Sequence, residues 1–430
     1  MPRRLRDAVS GPAWLVAMLR AERALVSAGA AAGLVPASSA AAVAAACEPE
    51  AYDWEALLEE GRSAGTPVEP LVRAIVARVD DEHARFVHLG ATSQDIMDTA
   101  AMLVSRDALD LILADLERVA DACAGLAREH AGTPMAGRTL LQQAVPTTFG
   151  LKCAGWLVAV TDARARLAEL REKGLAAQLG GAAGTLSALG ERGPDVAARF
   201  AAELGLGEPA LPWHVNRVRV AELGSALEIA AGVLAKVALD VELLAQTEVA
   251  EVREAGDGAS SAMPHKRNPT AAMRTRACWE LVRGYAAVLR ASLVGEHERA
   301  GGAWQAEWDA LSGALASTGG AAAALAEALE GLQVDAARMR SNLELTDGAV
   351  ASERLASLLA ERLGRTAARD LVREASLRAA ASGRPLADEV RGLDTGLTAE
   401  EIADALDATT YLGAADAFVE RALAHYEATR

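Results

Sequence analysis

Aromatic side chains are scarce in this 430-residue chain: phenylalanine, tyrosine and tryptophan make up 3% of it, although 51% of its residues are hydrophobic. A core of alanine, leucine and valine suits helices packed side by side better than a sandwich or barrel, so an all-α fold is expected. Positive charge is also lacking. The formal net charge is −16 and no basic block interleaved with aromatics occurs, which argues against a nucleic-acid partner. Cysteine is limited to Cys47, Cys123, Cys153 and Cys278, without the C-x2-C spacing of a zinc or redox centre; small core residues in a reducing compartment are expected. The seven histidines form no H-x-x-x-H or H-E-x-x-H pair. Neither a metal nor a cofactor is therefore expected. Long apolar runs are missing too. The run from Trp14 to Leu19 ends at Arg20 and Glu22, and the alanine-rich tract 28–47 is broken by Gly33 and Pro36, which fits neither a signal-peptide core nor a membrane span. A cytoplasmic protein with no membrane partner is the expectation.

What the chain does have is helical periodicity. Apolar residues recur at three- and four-residue steps through Trp14, Leu15, Met18, Leu19 and Leu25, with a Gly/Pro stop at Gly33 to Pro36. Longer patterns run over 98–129, 151–173, 218–254 and 270–292. Helices of that length bury their apolar stripes against one another or against a second subunit, so the four predict a bundle. Between them lie loops rich in Gly, Thr, Ser and Pro at 88–93, 132–148, 179–193 and 255–269. A composition shift near Thr346 suggests a small C-terminal helical domain. The expected division is 1–105, 106–346 and 347–430.

The last of those loops concentrates chemistry. Residues 258–270 read GASSAMPHKRNPT, with glycine supplying permissive dihedrals at one side and Pro264 and Pro269 stiffening the other. A polar surface turn has similar ingredients. The combination also describes a lid, in which a lysine offers a point charge to a carboxylate and an asparagine both donates and accepts. A serine hydroxyl there can carry a proton if backbone N–H groups stabilise its ionised form.

The run Ser260 to Pro269 resembles the signature loop of the fumarase/aspartase superfamily, G-S-S-x-M-P-x-K-x-N-P. Three further segments are similar to that superfamily: His88 to Asp95 (HLGATSQD), Gly137 to Thr148 (GRTLLQQAVPTT) and Gln246 to Glu248, in the same order and over nearly the whole chain. The resemblance implies a three-domain helical protomer around a central bundle of long helices, in a homotetramer whose sites combine regions of three subunits. It implies addition or elimination beside a carboxylate, through a carbanion held as an aci-carboxylate. In that scheme Ser260 exchanges the proton on carbon and Lys266 is the second catalytic residue. Met263 and Asn268 hold substrate with it, and Thr92, Ser93, Thr139, Gln142 and Gln143 bind it from other regions. His88 and Arg217 are further substrate-binding candidates, with Arg138, Arg267 and His214 behind them. Thr92 and Ser93 equally suit an N-cap, His88 a structural hydrogen bond, and Arg217 an ion pair.

One departure narrows the expected chemistry. Most lyases of the superfamily carry T-H where this chain has Thr139-Leu140, and pair that histidine with a glutamate where it has Met273. An amine or hydroxide leaving group departs poorly unprotonated, and a general acid contributes ~10²–10⁴-fold. A carboxylate, with a conjugate-acid pKa of about 4, reacts already ionised. The superfamily's lactone-closing reaction, intramolecular addition of a carboxylate across a C=C bond of a muconate tricarboxylate, therefore fits this chain better than adenylosuccinate cleavage. A catalytically silent scaffold is disfavoured by intact Ser260, Lys266 and Asn268. Two more departures are noted: Ala259 replaces the loop's usual first glycine, leaving Gly258 as hinge, and Val218 stands between Arg217 and Arg219 where relatives carry aspartate. The run Gly180 to Thr185 lacks the Lys-Ser/Thr of a phosphate cradle and reads as a linking loop.

Overall fold

The structure, a computed structural model, describes residues 2–256, 258, 263 and 265–430. Among the described residues it is all-α apart from two small antiparallel pairs and an isolated parallel bridge between Ala176 and Gly207. Among the described residues six helices exceed 20 residues: α1 (Gly11–Ala31), α2 (Ser93–Glu129), α3 (Phe149–Glu169), α4 (Val218–Leu244), α5 (Thr270–Ala291) and α6 (Ala303–Glu330). The Ser10 hydroxyl caps α1 by accepting from Ala13 N at 3.3 Å, Pro12 fills its first turn, and Gly33 in the left-handed region follows its end. At 1.5 Å per residue α2 is about 55 Å long.

The sequence reading placed α1, α2, α3 and α5 close to where they stand, and overran α4 by ten residues, since the helix ends at Leu244. The expected run to Glu254 is broken where Ala250 turns left-handed (φ 51) and strand β3 (Val252–Arg253) pairs with β4 (Gln333–Val334). It did not single out α6. That helix is dominated by alanine, and its Gly319 hides the periodicity; a Cβ there would stand 2.5 Å from Leu5 Cδ2, so glycine is what lets the neighbour approach. It also read 132–148 wholly as loop, where the chain forms a hairpin of β1 (Pro134–Thr139) and β2 (Gln142–Thr148) with a bulge between Ala136 and Arg138.

Two compact units emerge. The first comprises Met1–Glu117, Asp162–Lys236 and Arg274–Leu325; the second comprises Arg118–Thr161, Val237–Met273 and Ala326–Arg430. The first buries Met18, Leu19, Leu103, Ile112, Leu227 and Leu289. In the second, Phe149 meets Trp156 edge to face with ring centroids 5.9 Å apart. Its C-terminal helices, including α7 (Ala336–Glu344), α8 (Ser352–Leu363) and α9 (Arg365–Ser382), follow, and Leu355, Leu359, Val372, Leu386, Val390 and Ile402 form a separate apolar cluster. Cys47, Cys123 and Cys153 are buried, and Cys278, expected in the core with them, is only half-buried. Burial pushes the Cys47 and Cys123 thiols up to about 12, with Glu22 adding to the effect at Cys47. No described helix is long and apolar enough to cross a membrane.

Candidate active site

In the first unit the segment His88 to Asp95 is organised by one carboxylate. Asp95 is fully buried; Oδ2 accepts from Thr92 N and Gly181 N, and Oδ1 from Gly180 N, each at 2.9 Å. His214 Nε2 stands 2.7 Å from the same Oδ1. Thr92 is thereby held at the N-terminus of α2, with Ser93 as the first helical residue; both are half-buried. The glycine-rich loop commits two of its N–H groups to Asp95, and a Cβ on Gly180 would stand 2.7 Å from His214 Cε1. Its glycines thus serve close packing against the first segment.

His88 adopts φ 57 and places Nδ1 2.6 Å from Glu22 Oε1. Burial works against its charge, but the Glu22 carboxylate, by charge and by hydrogen bond, outweighs it with help from Asp95, and the imidazole is raised above its ordinary value. Arg217 corrects an expectation. It is buried, its Nη1 donates to Asp98 Oδ2 at 2.7 Å, its Nε to Glu307 Oε1 at 3.0 Å, and its Nη2 to both carboxylates. Trp304 Nε1 also donates to Asp98, at 3.0 Å. A guanidinium spent on two internal acids has little left for a substrate, so Arg217 is a packing cation here. Glu307 is raised by burial despite Arg217, while Arg217 is held firmly charged: burial opposes it, and the two acids win.

A cation that the sequence reading passed over lies beside the first segment. Arg299 is half-buried; Nε donates to Gln94 Oε1 at 3.0 Å and Nη2 to Gly181 O at 3.3 Å, and it forms no ion pair among the described residues. The signal available in the sequence was only the charged run Glu296-His297-Glu298-Arg299 in a turn.

In the second unit the hairpin carries Thr139, Gln142 and Gln143. Its two-residue tip is Leu140-Leu141, with φ 51 and 64, the signs of a type I′ turn that normally takes Asn-Gly. Leu140 is 96% and Leu141 79% exposed. Strain and exposure at one tip place this feature where function is expected rather than stability. Thr139 and Gln142 are exposed beside it, and Gln143 is half-buried with Nε2 donating to Asn342 O at 2.8 Å. Arg138, a candidate substrate cation in the sequence reading, is instead paired with the fully buried Glu251 at 2.6 and 2.9 Å.

The loop 256–269 is closed at its neck. Asn268 donates to Gly258 O through both its backbone N and its Nδ2, each at 2.9 Å. Glu254 caps α5 by accepting from Ala271 N at 3.0 Å and Ala272 N at 2.8 Å. Met263 and Lys266 are exposed, Lys266 N donating to Met263 O at 3.0 Å, and Met273 is exposed on α5. A cavity of about 530 Å³ lies at the loop base, lined by Arg253, Glu254, Asn268 and Asp335, a size that suits a small polycarboxylate. Ser260 lies outside the described residues. Among the described residues no three His, Cys, Asp or Glu side chains gather as metal ligands.

Comparison with known proteins bears on this arrangement. The lyase family model matches residues 7–284, and an adenylosuccinate lyase C-terminus model matches 348–422. A Streptomyces davaonensis protein called nitrosuccinate lyase is 50% identical, over 97% of this chain and 91% of its own length. A Pseudomonas putida 3-carboxy-cis,cis-muconate cycloisomerase is 46% identical, over 94% and 97%. The crystal structure of a 3-carboxy-cis,cis-muconate lactonizing enzyme from Pseudomonas putida superposes with a TM-score of 0.93 at 44% identity, covering 99% of this chain and 97% of that one.

Proposed function

We propose, on the premise that the chain belongs to the lyase family of the fumarase/aspartase superfamily, that it closes 3-carboxy-cis,cis-muconate to 4-carboxymuconolactone. The observation that carries this reading is the hairpin tip: an exposed leucine, Leu140, occupies the position of the superfamily's leaving-group histidine, and Met273 that of its glutamate partner. An attacking carboxylate needs no proton donor or acceptor there. Its oxygen bonds to one alkene carbon, the electron pair moves to the neighbouring carbon and is held in that carbon's carboxylate, and Ser260 delivers the proton that ends the sequence. Lys266 and Asn268 hold that carboxylate, and Met263 lines the loop side. Preorganised donors around the dianionic intermediate supply the barrier lowering. Thr92, Ser93, Thr139, Gln142, Gln143 and His88 contact the remainder of the tricarboxylate. Arg299, which has no acid partner among the described residues, takes the cationic role that Arg217 does not fill.

The reading carries with it a cytoplasmic homotetramer with shared sites and the three-part division at 105 and 346. Exposed apolar residues on the long helices, Ile229 on α4 and Leu281 on α5, support self-association. The adenylosuccinate lyase match does not change the choice, because 348–422 contains none of the candidate site residues.

A second reading is favoured by the relative at 50% identity: elimination of nitrite from nitrosuccinate, leaving fumarate. Nitrite also departs as a stable anion, so an apolar tip suits it too. Purified protein offered each substrate decides between them. Loss of the muconate diene absorbance with NMR identification of the lactone supports the first reading. Release of nitrite and fumarate with the diene untouched establishes the second. Ser260→Ala that leaves turnover intact would overturn the proton role in either.

A further inference from the structure

The mechanism leaves unused a fully buried carboxylate in the second unit. Glu251 lies just before strand β3, five residues before the 256–269 loop begins. Its Oε1 accepts from Arg138 Nη2 at 2.6 Å and from Asn342 Nδ2 at 2.7 Å, and its Oε2 accepts from Arg138 Nη1 at 2.9 Å. Its own backbone O accepts from Asp335 N at 3.0 Å. Arg138 is on β1, two residues before the hairpin tip. Asn342 is on α7, and its backbone O receives Gln143 Nε2 from β2. The same α7 face grips the chain just upstream: Arg338 Nε and Asn342 Nδ2 both donate to Val249 O, at 3.0 and 2.9 Å, and Arg338 Nη2 donates to Glu248 O at 2.8 Å.

Three stretches far apart in sequence therefore meet at one buried anion: strand β1 through Arg138, the approach to the loop, and α7 through Asn342, whose backbone in turn holds Gln143 of β2. Gln143 Oε1 and Asn342 Oδ1 are buried with no hydrogen-bond partner among the described residues, so the amides satisfy only part of their own capacity. An ion pair of this kind contributes little net stability relative to an apolar pair of similar volume, whereas it fixes direction strictly.

We propose that Glu251 is a positioning residue: through Arg138 and Asn342 it sets the hairpin tip and Gln143 in place against the base of the loop. The inference rests on the reading of the hairpin and loop as site elements. A misplacement of ~1 Å at such elements can cost ~10²-fold in rate, which sets the scale of the expected effect.

Three proteins test it: wild type, Glu251→Gln, and the apolar pair Arg138→Met/Glu251→Leu. On the substrate that wild type turns over, Glu251→Gln is expected to lower kcat at least tenfold, with a smaller change in KM. The apolar pair is expected to melt within a few degrees of wild type while kcat stays low. Hydrogen exchange gives a readout independent of turnover: amides of 137–145 exchange faster in both variants, with protection in α2 and α4 unchanged. Should the apolar pair recover kcat along with its melting temperature, the cluster is packing only and the proposal falls. Unchanged exchange at the hairpin together with kcat within twofold of wild type in Glu251→Gln overturns it as well. A wild type inactive on both substrates rejects the functional reading instead, and hairpin exchange alone then decides for or against the positioning role.

Discussion

The neck of the 256–269 loop can be opened by one methyl group. Gly258 sits at φ 44, and a Cβ built on it would lie 2.3 Å from Asn268 O and 2.9 Å from Asn268 N. Both are backbone atoms, so no rotamer change relieves the clash, and Gly258→Ala must spread the two strands of the neck. Spreading them breaks the two 2.9 Å hydrogen bonds from Asn268 to Gly258 O. Each is worth about 1 kcal/mol net, and the left-handed conformation costs a non-glycine residue roughly 1 kcal/mol more. The total of about 3 kcal/mol corresponds to ~10²-fold in the population of closed neck. The two broken hydrogen bonds lie outside the bundle helices, so most of that penalty stays local. The expected result is therefore a fall in kcat/KM of ~30–100-fold, read from the disappearance of the muconate diene, with a urea midpoint that hardly moves. Turnover within threefold of wild type would refute the assignment of Gly258 as the loop's hinge and of Asn268 as a residue held in place by the neck.

The His88–Glu22 pair makes stability depend on pH. The folded imidazole is raised above 6.5, so its contribution is fully present below that value and fades as pH rises through the elevated one. Melting temperatures of wild type and Glu22→Gln should accordingly differ most at pH 5.5–6 and converge toward pH 9; a constant difference would remove the coupling. Replacing the tip by Leu140→Asn and Leu141→Gly relieves two left-handed leucines at ~1–2 kcal/mol each, less about 1 kcal/mol for the freer unfolded glycine. Urea unfolding should register a gain of at least ~1 kcal/mol while turnover falls, and a variant no more stable than wild type would contradict the strain at this turn. Arg217→Met leaves Asp98 and Glu307 buried without their cation and should cost about 3–5 kcal/mol in the same assay. A loss under 1 kcal/mol would mean the cluster is not the buried ion network described.

Local pattern carried the helices wherever leucine and valine stood out from their neighbours, as in α1 and α2. It failed in α6, because alanine on every face leaves no contrast for a period to appear in. It also failed at the hairpin, whose tip bears Leu-Leu in place of the Asn-Gly that would have announced the turn. Candidate chemistry stood out at the motifs: Lys266 and Asn268 in one loop, Thr92 and Ser93 at a helix start, and the apolar exchange at Leu140 and Met273. Those signals reside in residue type and short spacing, which a linear chain displays directly. Partnership was not legible. Arg217 meets acids 119 and 90 positions away and Arg138 meets one 113 positions away, pairings that engage both guanidiniums inside the protein. Arg299 gains its place beside the start of α2 only because Gln94 and Gly181 receive its donors. The order of residues along the backbone determined which functional groups exist and which helices can form. Which charge is neutralised, and which is left to meet a ligand, was decided by folding, because electrostatic pairing depends on separation in space and burial rather than on position along the chain.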